Sequence, residues 1–260
     1  MNENSPQLMA VNQTKKNTTT VFGINNALSV LGSERFNVLN IVIQKNCRAE
    51  KNAGLMKAIH PFGGQINYYE KRDFAEKYQK ARSQGIVVTF TGEIISHELP
   101  DFSQMGSVCL LALDQVEDPQ NFGQIIRTAE CAGIDGILFP KHHSSPITDA
   151  VLQVSQGAFV HMPLYEVTNL RREFDQLKKD DFWIVGLENS IDAKPWHEID
   201  YKEKTVIVVG SEGKGIREKV LEACDFHATI PMQGKTNSLN VSAAVSAILF
   251  ERLRQVQETR

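Results

Sequence analysis

Two short runs constrain the fold most: SVCLLALDQV, residues 107–116, and TVIVVG, residues 205–210. A strand with one face in water alternates apolar and polar residues. These runs are apolar at nearly every position, the pattern of a strand covered by helices on both faces of a parallel sheet. The segments around them agree. Strand-like GILFP, HMPLYEV, FWIVGLE and FHATIPM alternate with helical stretches: NFGQIIRTAECAG, TDAVLQVSQGA, NLRREFDQLKKD, IREKVLEAC and a last helix from Val241 to about residue 257. Gly133 stands just past the end of the first of these helices, where a left-handed cap is common. Residues 107–260 are therefore expected to form a doubly wound α/β domain, with its ligand site at the carboxyl ends of the strands.

A smaller α/β unit is expected over residues 21–92, where VFGINNALSVL, AEKNAGLMKAIHPFGG and KRDFAEKYQKAR have helical spacing or composition. NVLNIVIQ, QINYYE and GIVVTFTG in the same unit have strand character. Residues 93–106 have no clear period and contain Pro100, so they are taken as a linker. Residues 1–20 form a polar stretch with no apolar core and no arginine, expected to be a disordered tail rather than a signal or transit peptide.

No apolar run reaches the roughly 18 residues that span a bilayer, so no membrane association is expected. The four cysteines, at 47, 109, 131 and 224, form no C-x-x-C pair. A metal site is not expected, and a reducing cytoplasm suits the chain. Net charge is −3 but unevenly spread: residues 1–100 hold 12 Lys/Arg against 8 Asp/Glu, and residues 101–260 hold 16 against 23. A basic first part and an acidic second part suggest a division of labour.

Three segments carry candidate chemistry. VVGSEGKGI, around Gly210, empties a buried strand into a glycine-rich turn with one carboxylate, Glu212. Such a turn lets backbone groups approach a ligand, although a plain strand-to-helix connection has the same pattern. Its glycines run G-x-x-G-x-G, not the G-x-G-x-x-G of a dinucleotide fold, which argues against a nicotinamide oxidoreductase. IPMQGKTNSLNVS, from Ile230, sets a polar stretch directly before the apolar last helix. It is not a P-loop, because Thr229 stands where the first glycine belongs. Ser238 or Asn240 is suited to capping the helix, but a cap leaves most of the polar stretch unexplained. Backbone wrapped round a bound molecule would account for it. Finally, EDPQNFGQIIRTAECAG places Asn121 and Arg127 six residues apart, and Arg is the residue suited to gripping phosphate.

In this order the segments NFGQIIRTAECAG, VVGSEGKGI and IPMQGKTNSLNVSAAVSAILFE resemble the three motifs of the SpoU (TrmH-type) branch of the SPOUT methyltransferases. The likeness covers nearly all of residues 107–260, including VSQGAFVHMPLYEVTNL. The first unit is similar to the ribosomal-protein-like RNA-binding domain of members that modify ribosomal RNA. It departs from them at Asn25 or Asn26 and at Ser83, where His is frequent. That departure bears on RNA specificity, not on the reaction.

The resemblance implies S-adenosylmethionine-dependent methylation of a ribose 2′-hydroxyl in RNA, a deep trefoil knot and a homodimer that completes the site. It implies cofactor contacts at Gly210, Ile230, Met232 and Leu239, mainly through main chain and apolar packing. Arg127 matches the family arginine, expected to hold a phosphate and steady a developing alkoxide. Asn121 would position the ribose or Arg127, and Glu212 would orient Arg127 or relay the proton. Ser238 and Asn240 would order the loop and the target ribose. Between Lys45 and Arg82 nine Lys/Arg outnumber four Asp/Glu, and Phe62, Tyr68 and Tyr69 are candidates for stacking on bases. The rival expectations are transfer RNA as substrate, or a non-catalytic RNA-binding protein on the same fold.

Overall fold

The computed structural model describes residues 18–78, 83–190, 192–236 and 238–258. In chain order the first unit contains β1 (Thr18–Phe22), α1 (Ile24–Leu31), β2 (Asn37–Gln44), α2 (Ala53–Ile59), β3 (Ile66–Tyr69), α3 (Lys71–Lys77) and β4 (Ile86–Thr91). Its four strands form a mixed sheet in the order β1-β4-β2-β3, with only β2 and β3 parallel.

Then come β5 (Ile95–Ser96), β6 (Cys109–Asp114), α4 (Pro119–Cys131), β7 (Gly136–Pro140), α5 (Asp149–Ser155), β8 (Leu164–Val167) and α6 (Leu170–Leu177). They are followed by β9 (Trp183–Leu187), β10 (Lys194–Pro195), β11 (Thr205–Gly210), α7 (Glu218–Leu221), β12 (Phe226–Thr229) and α8 (Val241–Glu258). These eight strands form one sheet in the order β10-β12-β9-β11-β6-β7-β8-β5, parallel throughout.

The two apolar runs are the sheet's centre. All six residues of β6 are buried, and they divide by pleat. Cys109, Leu111 and Leu113 join the core beneath α4 and α8, whereas Leu110 and Ala112 join the core beneath α6 and α7. From β6 the chain winds outward through β7 and β8, then returns to build β9, β11 and β12 on the other side. The crevice between β6 and β11 is thus the topological switch point of the sheet, and the main cavity opens next to it, on the β9 side of β11.

The smaller unit is not separate from this core. Phe36 and Phe90 meet Phe159 at ring-centroid distances of 6.1 and 6.3 Å. Asn26 donates to Phe22 O and reaches Gln153, and Asn25 reaches Gln156. Asn25 and Asn26, the alternatives for the first departure from the family pattern, therefore both face the junction between the units.

Three expectations need correction. The tail expected over residues 1–20 lies outside the described residues up to residue 17, but residues 18–20 begin β1 and pair with β4. Their threonines count as polar in composition yet are β-branched and suit a strand. In the expected linker, Ile95 and Ser96 pair with β8, and Phe102 is buried in the α6-side core. The helix expected over residues 216–224 shrinks to the four residues of α7, because Ile216 and Arg217 complete the preceding turn.

Candidate active site

A cavity of about 730 Å³ opens at the carboxyl ends of β9, β11 and β12. Gly210, Ile230, Met232 and Leu239 all line it, as do Ser238, Glu212 and Asn240. The segment after β12 has no regular structure over the described residues from 230 to 240, and it forms one wall.

The opposite wall is the turn after β11. Ser211 and Gly215 bridge each other, with Ser211 N donating to Gly215 O at 3.2 Å and Gly215 N to Ser211 O at 3.0 Å. Gly213 and Gly215 hold φ of 81° and 69°, open to glycine at little cost. Gly210 has no room for a side chain, since a Cβ would lie 2.0 Å from the Gly215 carbonyl carbon. The turn is closed by a clamp that the sequence reading missed. Asp114, 0% exposed at the end of β6, accepts from Arg217 N at 2.8 Å and Nε at 2.9 Å, and pairs with Nη2 at 2.6 Å. A carboxylate can be buried so fully only with such partners. Its only sequence signal was an acidic residue ending an apolar strand.

Asn121, Glu212 and Asn240 converge beside the cavity. Asp118 caps α4 and Pro119 follows it, so Asn121 sits in the first turn, 7% exposed. Its Nδ2 donates to Glu212 Oε1 at 3.1 Å, and its Oδ1 accepts from Asn240 Nδ2 at 3.0 Å. Asn240 Nδ2 also donates to Glu212 Oε1, which lies 3.4 Å from the backbone N of Val241. Asn240 has a second task. Its Oδ1 accepts from Ser242 N at 2.9 Å and Ala243 N at 3.4 Å, capping α8. One asparagine thus ends the polar stretch, starts the last helix and ties both to the first motif.

Arg127 is not brought into this corner. It lies on the exposed face of α4 and makes no ion pair among the described residues. The contact expected between Glu212 and Arg127 is absent within the chain, as Glu212 Oε1 is committed to the two asparagines. Ser238 is exposed at the cavity wall. On α8, which packs against α4, Ala243 and a 48% exposed Phe250 face solvent.

On the smaller unit, Tyr68 is exposed. Tyr69 instead packs edge-on against Tyr78 and accepts from Lys77 Nζ at 3.0 Å, while Phe62 packs onto the core. Of the three aromatics, Tyr68 is the one open to a partner. Among the described residues, no group of three or more His, Cys, Asp or Glu could hold a metal ion. No helix among them is long and apolar enough to cross a membrane.

The sequence model of the SpoU rRNA Methylase family matches residues 108–250. The 23S rRNA (guanosine-2′-O-)-methyltransferase RlmB of Shewanella oneidensis is 34% identical over 243 residues, covering 92% of this chain and 98% of that protein. The protein of the same name from Pseudomonas aeruginosa is 40% identical over 195 residues, 73% of this chain and 77% of its own. The crystal structure of the SpoU methyltransferase AviRb from Streptomyces viridochromogenes, in complex with the cofactor AdoMet, superposes with a TM-score of 0.77 at 19% identity. That superposition covers 93% of this chain and 91% of AviRb.

Proposed function

This chain belongs to the SpoU rRNA methylase family, and from that membership we propose its reaction. It transfers a methyl group from S-adenosylmethionine to a ribose 2′-hydroxyl of RNA, and ribosomal RNA is the substrate. The observation that carries the reading is the meeting of the glycine turn and the polar segment on one cavity, with Asn121, Glu212 and Asn240 at its edge.

The cavity fits that cofactor. Leu187, Ile216, Ile230, Met232 and Leu239 give it apolar walls, and the turn is built of glycines that leave its backbone open to approach. The buried Oγ of Ser211, on the same turn, has no hydrogen-bond partner among the described residues. S-adenosylmethionine supplies an electrophilic methyl on a sulfonium. The chain's own residues then have two tasks, alignment and handling of the hydroxyl proton. Alignment of two reactants contributes on the order of 7–11 kcal/mol.

Arg127 holds the phosphate next to the target ribose and stabilises negative charge growing on the 2′-oxygen. Arginine stays protonated, so it is no base. The proton passes to Glu212, whose Oε2 makes no hydrogen bond among the described residues. Asn121 and Asn240 hold that carboxylate in place, and Ser238 orders the ribose at the cavity mouth.

The protein acts as a cytoplasmic homodimer, its four cysteines unpaired. The exposed face of α4 and α8, with Arg127, Ala243 and Phe250, meets a second copy and so brings one subunit's Arg127 to its partner's cavity. The final segment forms a deep trefoil knot. Supporting this, α8, last in the chain, packs on α4, the first helix after β6. Residues 21–92 bind the RNA and 107–260 carry out the transfer, with phosphate contacts that make binding salt-dependent.

The test is transfer of labelled methyl from S-adenosylmethionine to ribosomal RNA, followed by mapping of the 2′-O-methyl position. Label found in transfer RNA instead would overturn the substrate, and no label in any RNA would overturn the reaction.

A further inference from the structure

Two carboxylates line the cavity, Glu188 and Glu212. Glu212 is taken up by Asn121, Asn240 and the start of α8. Glu188 has no part in the chemistry described so far, and its setting is unusual for a surface acid. It follows the last residue of β9, and its backbone N donates to Ala228 O at 2.9 Å, which fixes the chain between β9 and β12. Its side chain is only 18% exposed. Oε1 accepts from Ser190 Oγ at 2.9 Å and lies 3.1 Å from His227 Nδ1. Both contacts fall on Oε1, so the carboxylate is oriented while Oε2 makes no hydrogen bond among the described residues.

An oriented carboxylate at the end of a parallel strand, beside the glycine turn of the neighbouring strand, suits one kind of group. It accepts hydrogen bonds and donates none, so its partner must be a donor. In nucleotide sites of α/β sheets an acid so placed receives ribose hydroxyls. The other cavity-lining groups near β9 and β12 include Leu187, Thr229, Ile230 and Met232, none of them charged. A cationic ligand is also favoured by a negative group that is partly withdrawn from water.

We infer that Glu188 reads the ribose of the bound cofactor: its carboxylate accepts hydrogen bonds from the vicinal 2′- and 3′-hydroxyls of S-adenosylmethionine, with Ser190 and His227 holding it in position. The inference rests on the proposed cofactor and adds a contact that the pairing of Glu188 with His227 alone does not require.

The experiment is isothermal titration calorimetry of the full chain with S-adenosylhomocysteine and with its 2′-deoxy and 3′-deoxy analogues. In the unaltered protein each deoxy analogue should bind about tenfold or more weakly, the worth of a hydrogen bond to a charged group. Glu188→Ala should bind the complete ligand roughly 10–100-fold more weakly and should no longer distinguish it from the analogues. Glu188→Ala that binds within twofold of the unaltered chain, or that keeps the full discrimination, overturns the inference. If the variant does not fold, the unaltered protein still decides: equal affinity for all three ligands overturns it. Failure of the unaltered chain to bind S-adenosylhomocysteine at all is a different result, and it removes the cofactor reading together with this inference.

Discussion

Two positions on one helix face opposite circumstances. Near the start of α4, Asn121 is buried and bonded to Glu212 and Asn240. Six residues on, Arg127 is exposed and without an ion pair among the described residues. Groups that must be in register before a ligand arrives are held by the chain's own hydrogen bonds. The phosphate role proposed for Arg127 requires it to be unpaired, because an internal carboxylate would compete for its fork. The helix therefore joins a preassembled corner to an open face. At about 100° per residue, six residues set the two side chains about 120° apart, so they cannot serve the same surface.

The sharpest break of this contrast is Arg127→Ala. Methyl transfer should fall about 10²–10³-fold while cofactor affinity and thermal stability stay within error of the unaltered protein. An active variant would show that the open face plays no part in the reaction. Next in size is Asp114→Asn, which tests whether the corner depends on the clamp behind it. Weakening three contacts to Arg217 should lower stability to urea by about 2–3 kcal/mol and loosen cofactor binding. A variant with normal cofactor affinity would separate the clamp from the site.

Asn240→Ala should cost about 1–2 kcal/mol of stability in thermal unfolding through the lost cap of α8. Asn240→Asp keeps the acceptor for Ser242 N and should recover most of that stability, but it sets a second carboxylate against Glu212 and should stay impaired in transfer above the carboxylate range. Equal behaviour of the two variants would deny the asparagine its double task. If the open face meets a second copy as proposed, Phe250→Glu should shift the sedimenting species from dimer to monomer and lower transfer with it. The smallest effect concerns thiols. Burial pushes Cys109 and Cys224 up to about 12, so alkylation near pH 8 should leave both largely unreacted and find Cys131, which is exposed on α4. Cys131 labelling that slows as protein concentration rises would place it within the dimer contact; labelling that does not change would leave the contact elsewhere.

Much of the fold was legible because its elements announce themselves locally. The β6 and β11 runs could be recognised from both-face burial, and the SEGKG turn from glycine, which tolerates the positive φ at Gly213 and Gly215. The four positions expected to contact a cofactor, which all line one cavity, were singled out through the motif resemblance and not through spacing, since apolar wall residues such as Ile230 and Met232 look like ordinary core. The threonines of β1 were missed because they count as polar, and α7 was overextended at its start because Arg217, held to Asp114, has extended backbone. Neither Asp114 nor Glu188 could be singled out in advance, because an acid at the end of a strand has the same sequence signature whether it is solvated or clamped.

By itself the sequence determined which segments are strands covered on both faces, where backbone must bend through glycine, and that a polar stretch precedes α8. Those properties depend on residue types only a few positions apart. The tertiary structure alone decided that Asn121 meets Glu212 across 91 residues and Asn240 across 119, and that Arg127 meets neither. Strand order brings those ends together: β11 lies beside β6 although β7, β8, β9 and β10 come between them in the chain, and no local pattern encodes which strands become neighbours.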